Sequence, residues 1–194
     1  MSKPTEVTVL CEDNLTYRFV RSYLIKCRVD GRNIRAKISR NVSGFTWVIN
    51  QYPVYVNAYR LAKARVPNTW LIVVVDADKG TRDQRLMQLQ QKLEEAEETR
   101  LREMRIEEER IARLIPRRNI ETWLLALNNV SVDETKDYKK EVAEFRHYDW
   151  SGSIPTASKT FFDLSRPNVE KPENLIESLC HAIDEMRRVF QLAR

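Results

Sequence analysis

The stretch Thr69-Trp70-Leu71-Ile72-Val73-Val74-Val75, followed at once by Asp76-Ala77-Asp78-Lys79-Gly80, constrains the fold more than any other part of this 194-residue chain. The six apolar residues from Trp70 to Val75 show no polar alternation and are mostly β-branched. Such a run suits a strand covered on both faces, as in a parallel sheet. It is the longest apolar run in the chain and far too short to cross a bilayer. The N-terminal residues Met1 to Glu6 carry no apolar signal region, so a cytoplasmic protein without membrane attachment is expected.

The segments around this strand alternate in kind. Glu6 to Cys11 reads as a short strand, and Leu15, Phe19, Tyr23, Leu24 and Cys27 then recur at helical spacing. After the turn at Asp30-Gly31-Arg32-Asn33, Ile34 to Ile38 alternates apolar and basic residues as a half-buried strand does. Trp47 to Ala64 reads as a helix that Pro53 starts or kinks. Thr81 to about Arg113 contains neither Pro nor Gly and reads as one long helix, giving way to a short strand near Ile111 to Ile115. Ile120, Trp123, Leu124 and Leu127 mark another helix, Ser151 to Pro155 reads as loop, and Glu173 to Ala193 carries a last apolar stripe.

This rhythm predicts an α/β fold with an open parallel sheet of about four strands and helices on both faces. Residues 1–128 would form the domain built on the sheet and 129–194 a C-terminal helical extension. The second half of the long helix, Glu94 to Arg110, is charged on nearly all sides, with Glu98–Arg102 and Glu109–Arg113 spaced four apart. Such a helix projects from the domain or packs against something outside it. The expectation is an arm that docks a second copy or another subunit.

Composition excludes several chemistries. The three cysteines are widely spaced, and there is no CxxC, Cys/His cluster or HExxH, so neither a zinc site nor a disulfide framework is expected. Four glycines, none in a nucleotide-binding fingerprint, exclude a P-loop and a dinucleotide fold. The net charge of +5 leans toward a polyanionic partner. The two histidines lack a catalytic setting, and Trp47, Trp123 and Trp150 read as core rather than as base-stacking surfaces.

In open parallel sheets the binding crevice lies beyond the carboxyl ends of the strands. The first strand ends in Cys11-Glu12-Asp13 and the central one in Asp76-Ala77-Asp78. If extended backbone continues, Asp76 and Asp78 point to one side. Carboxylates without sulfur or imidazole suit a hard cation such as Mg2+ or Mn2+. Acidic residues at strand ends can instead simply cap the next helix. Arg117 and Arg118 precede a helix N-terminus, a place that favours anions, and Lys79 follows the acidic pair. All three are candidates for nucleic-acid phosphate contacts.

Strand-Glu-helix followed by strand-Asp-x-Asp-helix resembles the Toprim domain. "CED" after the first strand and "IPRRNIETWLLAL" after the Asp-x-Asp unit are closest to small OLD-like Toprim proteins of bacterial phage-defence loci. The resemblance covers roughly residues 6 to 128. It implies a nuclease dependent on Mg2+ or Mn2+, with Glu12, Asp76 and Asp78 as catalytic metal ligands and Glu121 as a further one. Gly44 loosely matches a glycine of OLD-type members. The family has Glu-Gly where this chain has Glu12-Asp13, so which acid faces inward is open at this stage. The resemblance further implies antiviral defence, an ATPase partner subunit, and a nucleic-acid substrate, DNA before RNA. The rival expectation is a non-catalytic Toprim-like subunit whose surface binds a partner protein, and a third is a phosphatase.

Overall fold

The computed structural model of the protein describes residues 6–39, 44–96 and 106–192. Four strands, β1 (Glu6–Cys11), β2 (Ile34–Ile38), β3 (Thr69–Val74) and β4 (Ile111–Leu114), form one open, all-parallel sheet in the order β2-β1-β3-β4. Val7 pairs with Ile34 on one side and Trp70 on the other, and Leu71 pairs with Ile111. The helices are α1 (Asn14–Lys26), α2 (Gly44–Lys63), α3 (Arg82–Glu94), α4 (Ile120–Leu127), the single-turn α5 (Tyr138–Glu141), α6 (Trp150–Leu164) and α7 (Glu177–Gln191).

Strand alternation divides the core in two. Val7, Val9, Trp70, Ile72, Val74, Ala112 and Leu114 face α1, α4, α6 and α7, where Phe19, Tyr23, Trp123, Phe161 and Met186 are buried. Leu10, Leu71, Val73 and Ile111 face α2 and α3, against Val48, Tyr52, Val56, Leu89 and Leu93. Both faces of β3 are therefore covered, as its unbroken apolar run requires. The helices α6 and α7 share the first of these cores, so this part of the C-terminal extension is built into the sheet's own packing. No helix among the described residues is long and apolar enough to cross a membrane. The three cysteines are free thiols.

Two expectations are corrected. The helix expected over about 81–113 ends at Glu94, some 20 Å after its start. Residues 97–105, including the Glu98–Arg102 pair, lie outside the described residues. Ile106–Glu108 is a 3-10 turn, and Ile111–Leu114 is the edge strand. The charges that suggested an extended helix make tertiary contacts instead. Glu109 is buried and accepts three hydrogen bonds from Arg60 of α2, two of them at 2.9 Å, while Arg113 pairs with Glu107 and Glu185. Arg188 of α7 donates to the carbonyls of Glu107, Glu109 and Ile111, and Glu185 accepts from the Arg113 N–H, so α7 covers the β4 edge.

The second correction concerns Ser151 to Pro155, which belongs to α6 rather than to a loop. Asp149 caps this helix through a 2.8 Å hydrogen bond from the Gly152 N–H. Burial of Ile154, Ala157 and Phe161 against α1 and α4 outweighs the single ladder bond that Pro155 forgoes. Likewise Pro53 lies inside α2, which begins at Gly44.

Candidate active site

The strand order reverses between β1 and β3, and the candidate residues collect beyond the carboxyl ends of these two strands. Local chemistry settles which acid after β1 turns inward. Asp13 is exposed and caps α1, accepting from the Thr16 N–H at 2.8 Å. Glu12 is left to cross the gap, where its Oε1 accepts the Asp76 N–H at 2.7 Å. Gly44, the first residue of α2, closes over it. A Cβ at that position would lie 2.9 Å from Glu12 Oε2 and 3.0 Å from Glu12 Cβ, so any side chain there would displace the carboxylate. The close approach gives a physical reason for glycine.

Past β3 the chain does not continue as strand. Ala77 is buried and donates its N–H to the Pro116 carbonyl, and the Gly80 N–H returns to the Ala77 carbonyl in a tight turn. Within it Asp78 has φ 55°, a left-handed conformation that Asp tolerates better than most residues but at some cost. Asp76 and Asp78 thus reach one cleft through a turn rather than through strand alternation. The Asp78 carboxylate meets Arg118 Nη1 at 2.9 Å. The Asp76 carboxylate makes no hydrogen bond or ion pair among the described residues.

The remaining wall comes from later in the chain. Asn119 caps α4 and places Glu121 in its first turn, where the side chain is 7% exposed and lies 3.4 Å from Lys139 Nζ. Asp137 is buried, caps α5 and pairs with Lys140 at 3.4 Å. Glu12, Gly44, Asp76, Asp78, Arg118, Glu121, Asp137, Lys139 and Lys140 all line one cleft of about 430 Å³. The acids share the cleft without converging on a point. Among the described residues no three His, Cys, Asp or Glu side chains are close enough together to hold a metal ion in this conformation.

Two expected phosphate contacts stand elsewhere. Arg117 braces the turn by donating to the Gly80 carbonyl at 2.8 Å and lines a separate groove with Thr81, Glu134 and His181. Lys79 lies on the rim, in a groove beside α3.

Three participants escape a reading of the acidic motifs: Asp137, Lys139 and the brace Arg85. Arg85 is 6% exposed, donates through Nε to the Asp76 carbonyl at 2.9 Å and through Nη2 to that of Ala77, and lies 4.6 Å from the centre of the Phe45 ring. It fixes the backbone that carries both aspartates. Its signal is a cation on the buried stripe Arg85, Leu89, Leu93.

The electrostatics follow from crowding acids in a poorly solvated cleft. Burial pushes Glu12 up to about 7, with the charges of Asp13 and Asp78 adding to the rise and the Asp76 N–H and Arg85 opposing it. Burial and then the Glu12 charge raise Asp76 well above the ordinary aspartate range. Burial raises Glu121 too, against the pull of Lys139.

A pH dependence follows. Between the ordinary glutamate pKa and about 7 Glu12 binds more protons in the folded protein than in the unfolded chain, so stability falls as pH rises, and Asp76 and Glu121, raised in the same direction, add to the fall. In EDTA, thermal melts should show a decline of several degrees from pH 5 to 7.5, and Glu12→Gln should make it shallower. A wild-type melting temperature constant or rising over this range would contradict the assignment. The exposed acids with lowered pKa values, Asp30, Glu95 and Asp133, act at lower pH.

Comparison with protein-family models, with curated proteins and with solved structures finds no match to this chain.

Proposed function

We propose that the protein is a divalent-metal-dependent nuclease that hydrolyses nucleic-acid phosphodiesters in this cleft. The observation that carries the reading is the Asp76 carboxylate, set among four other acids at the β1/β3 switch point with no hydrogen bond or ion pair of its own among the described residues. A cation would supply the missing compensation, and an all-oxygen donor set fits Mg2+ or Mn2+. Glu12, Asp76 and Asp78 would hold the ion with support from Glu121. When bound, it would polarise the phosphodiester and stabilise the leaving oxygen.

The chain's own residues supply the rest. Glu12 serves as ligand or as the base that takes a proton from the attacking water. Arg118, released from Asp78, and Lys139, released from Glu121, turn to phosphate oxygens. Arg85 and Arg117 hold the Asp76–Gly80 turn in place. The resemblance to OLD-like Toprim proteins extends the proposal to phage defence beside an ATPase subunit in the cytoplasm, with DNA the preferred substrate. Assembly with a second copy belongs to the same proposal.

One observation favours a second reading. Asp78 is already neutralised by Arg118, and no three acids converge among the described residues, as would suit a non-catalytic subunit that binds a partner protein. Incubation with labelled single-stranded and duplex oligonucleotides separates the two. Cleavage should appear with Mg2+ or Mn2+ and stop in EDTA, whereas cleavage persisting in EDTA would contradict the metal mechanism. No cleavage with either ion, together with no Mn2+ binding by calorimetry, would favour the second reading.

A further inference from the structure

The carboxylate cleft borders a second groove of about 620 Å³, with which it shares Phe45 and Asp78 as lining and to which α3 contributes Gln84, Met87, Gln88 and Gln91. Its surface is unlike that of the cleft. Phe45 is 37% exposed and Met87 62%, two large apolar side chains left in water beside a charged site. Phe45 is held from one side by the Arg85 guanidinium, which also holds the Asp76 and Ala77 carbonyls. The ring is thereby tied to the backbone that carries the acids. Lys79 and the Thr81 cap stand on the rim.

Resting on the nuclease reading, we infer that this groove seats an unpaired base of the substrate strand, so that the enzyme acts on single-stranded nucleic acid. An exposed aromatic ring backed by an arginine is a stacking platform that any base can use. A thioether adds adaptable apolar contact. The volume lies within the range of small-ligand pockets and accommodates a nucleotide. Because the grooves share Phe45 and Asp78, a nucleotide stacked there places its neighbouring phosphate toward the acids. Bases paired in a duplex are stacked on each other and have no free face for Phe45. Single-stranded DNA and single-stranded RNA share this chemistry.

The test uses the full chain and fluorescein-labelled 12-mers: oligothymidylate, oligouridylate and a DNA duplex, followed by anisotropy with Ca2+ in place of Mg2+. At least one single strand should bind ten times more tightly than the duplex. Phe45→Ala should weaken that binding about tenfold, the scale of one lost base–aromatic stack. Met87→Glu, an exposed change with little bearing on folding, should weaken it too. Mn2+ binding by calorimetry should be unchanged in Met87→Glu, which lies outside the carboxylate cleft. The inference is overturned if the duplex binds as tightly as the tighter of the two strands, or if neither variant alters single-strand binding. Metal-dependent duplex cleavage untouched by Phe45→Ala would remove the base groove and leave the nuclease proposal standing. Loss of Mn2+ binding and of all cleavage in the wild type would remove both.

Discussion

Asp76→Asn should abolish Mn2+ binding and lower phosphodiester cleavage by about a thousandfold, while leaving the metal-free protein folded and more stable. The two effects have one cause. The Asp76 carboxylate is raised in pKa by burial and by Glu12, and it makes no hydrogen bond or ion pair among the described residues. In the absence of a cation its charge opposes folding, so a neutral isostere relieves repulsion. A gain of about 1 kcal/mol corresponds to about 2–4 °C in a domain of this size. Calorimetric Mn2+ titration, gel-based cleavage and thermal melts in EDTA report the three quantities. A variant that melts lower yet still binds Mn2+ would make Asp76 structural.

The largest effect on stability alone is expected at Arg60. Arg60→Met leaves Glu109, whose side chain is 9% exposed, without the three hydrogen bonds that Arg60 donates. Breaking a buried pair from one side costs about 3–5 kcal/mol, or a fall of about 10 °C in melting temperature. Adding Glu109→Leu should recover most of the loss, since an apolar pair in that setting is close to neutral. A change below 1 °C would mean that Glu109 is solvated, as on the long charged helix that the sequence suggests.

That helix illustrates where sequence patterning stops being informative. Glu and Arg spaced by four support a helix only if they pair with each other. Here Glu109 and Arg113 are claimed by α2 and α7, remote in sequence, and no local pattern encodes those partners. The strands were legible because burial on both faces of β3 demands an unbroken apolar run, and α1 because its stripe is regular. α6 was obscured by Gly152 and Pro155, although Ile154, Ala157 and Phe161 keep helical spacing.

The site divides in the same way. Glu12, Asp76 and Asp78 could be found because acids following apolar strands mark the crevice of a parallel sheet. The choice between Glu12 and Asp13 needed the cap on α1. Asp137 and Lys139 arrive on a single turn of helix after a polar stretch, and only the chain's path brings them to the cleft. Arg117 and Arg118 are neighbours with different work, one bracing a carbonyl and the other facing Asp78, a distinction set by side-chain direction alone.

The most direct measurement is a crystal structure of the wild-type protein soaked in Mn2+, read by anomalous scattering. The account predicts an anomalous peak between β1 and β3, ligated by Asp76 with Glu12 or Asp78, and Arg118 withdrawn from Asp78. A cleft without a peak at saturating Mn2+, with the Arg118–Asp78 pair intact, would contradict it.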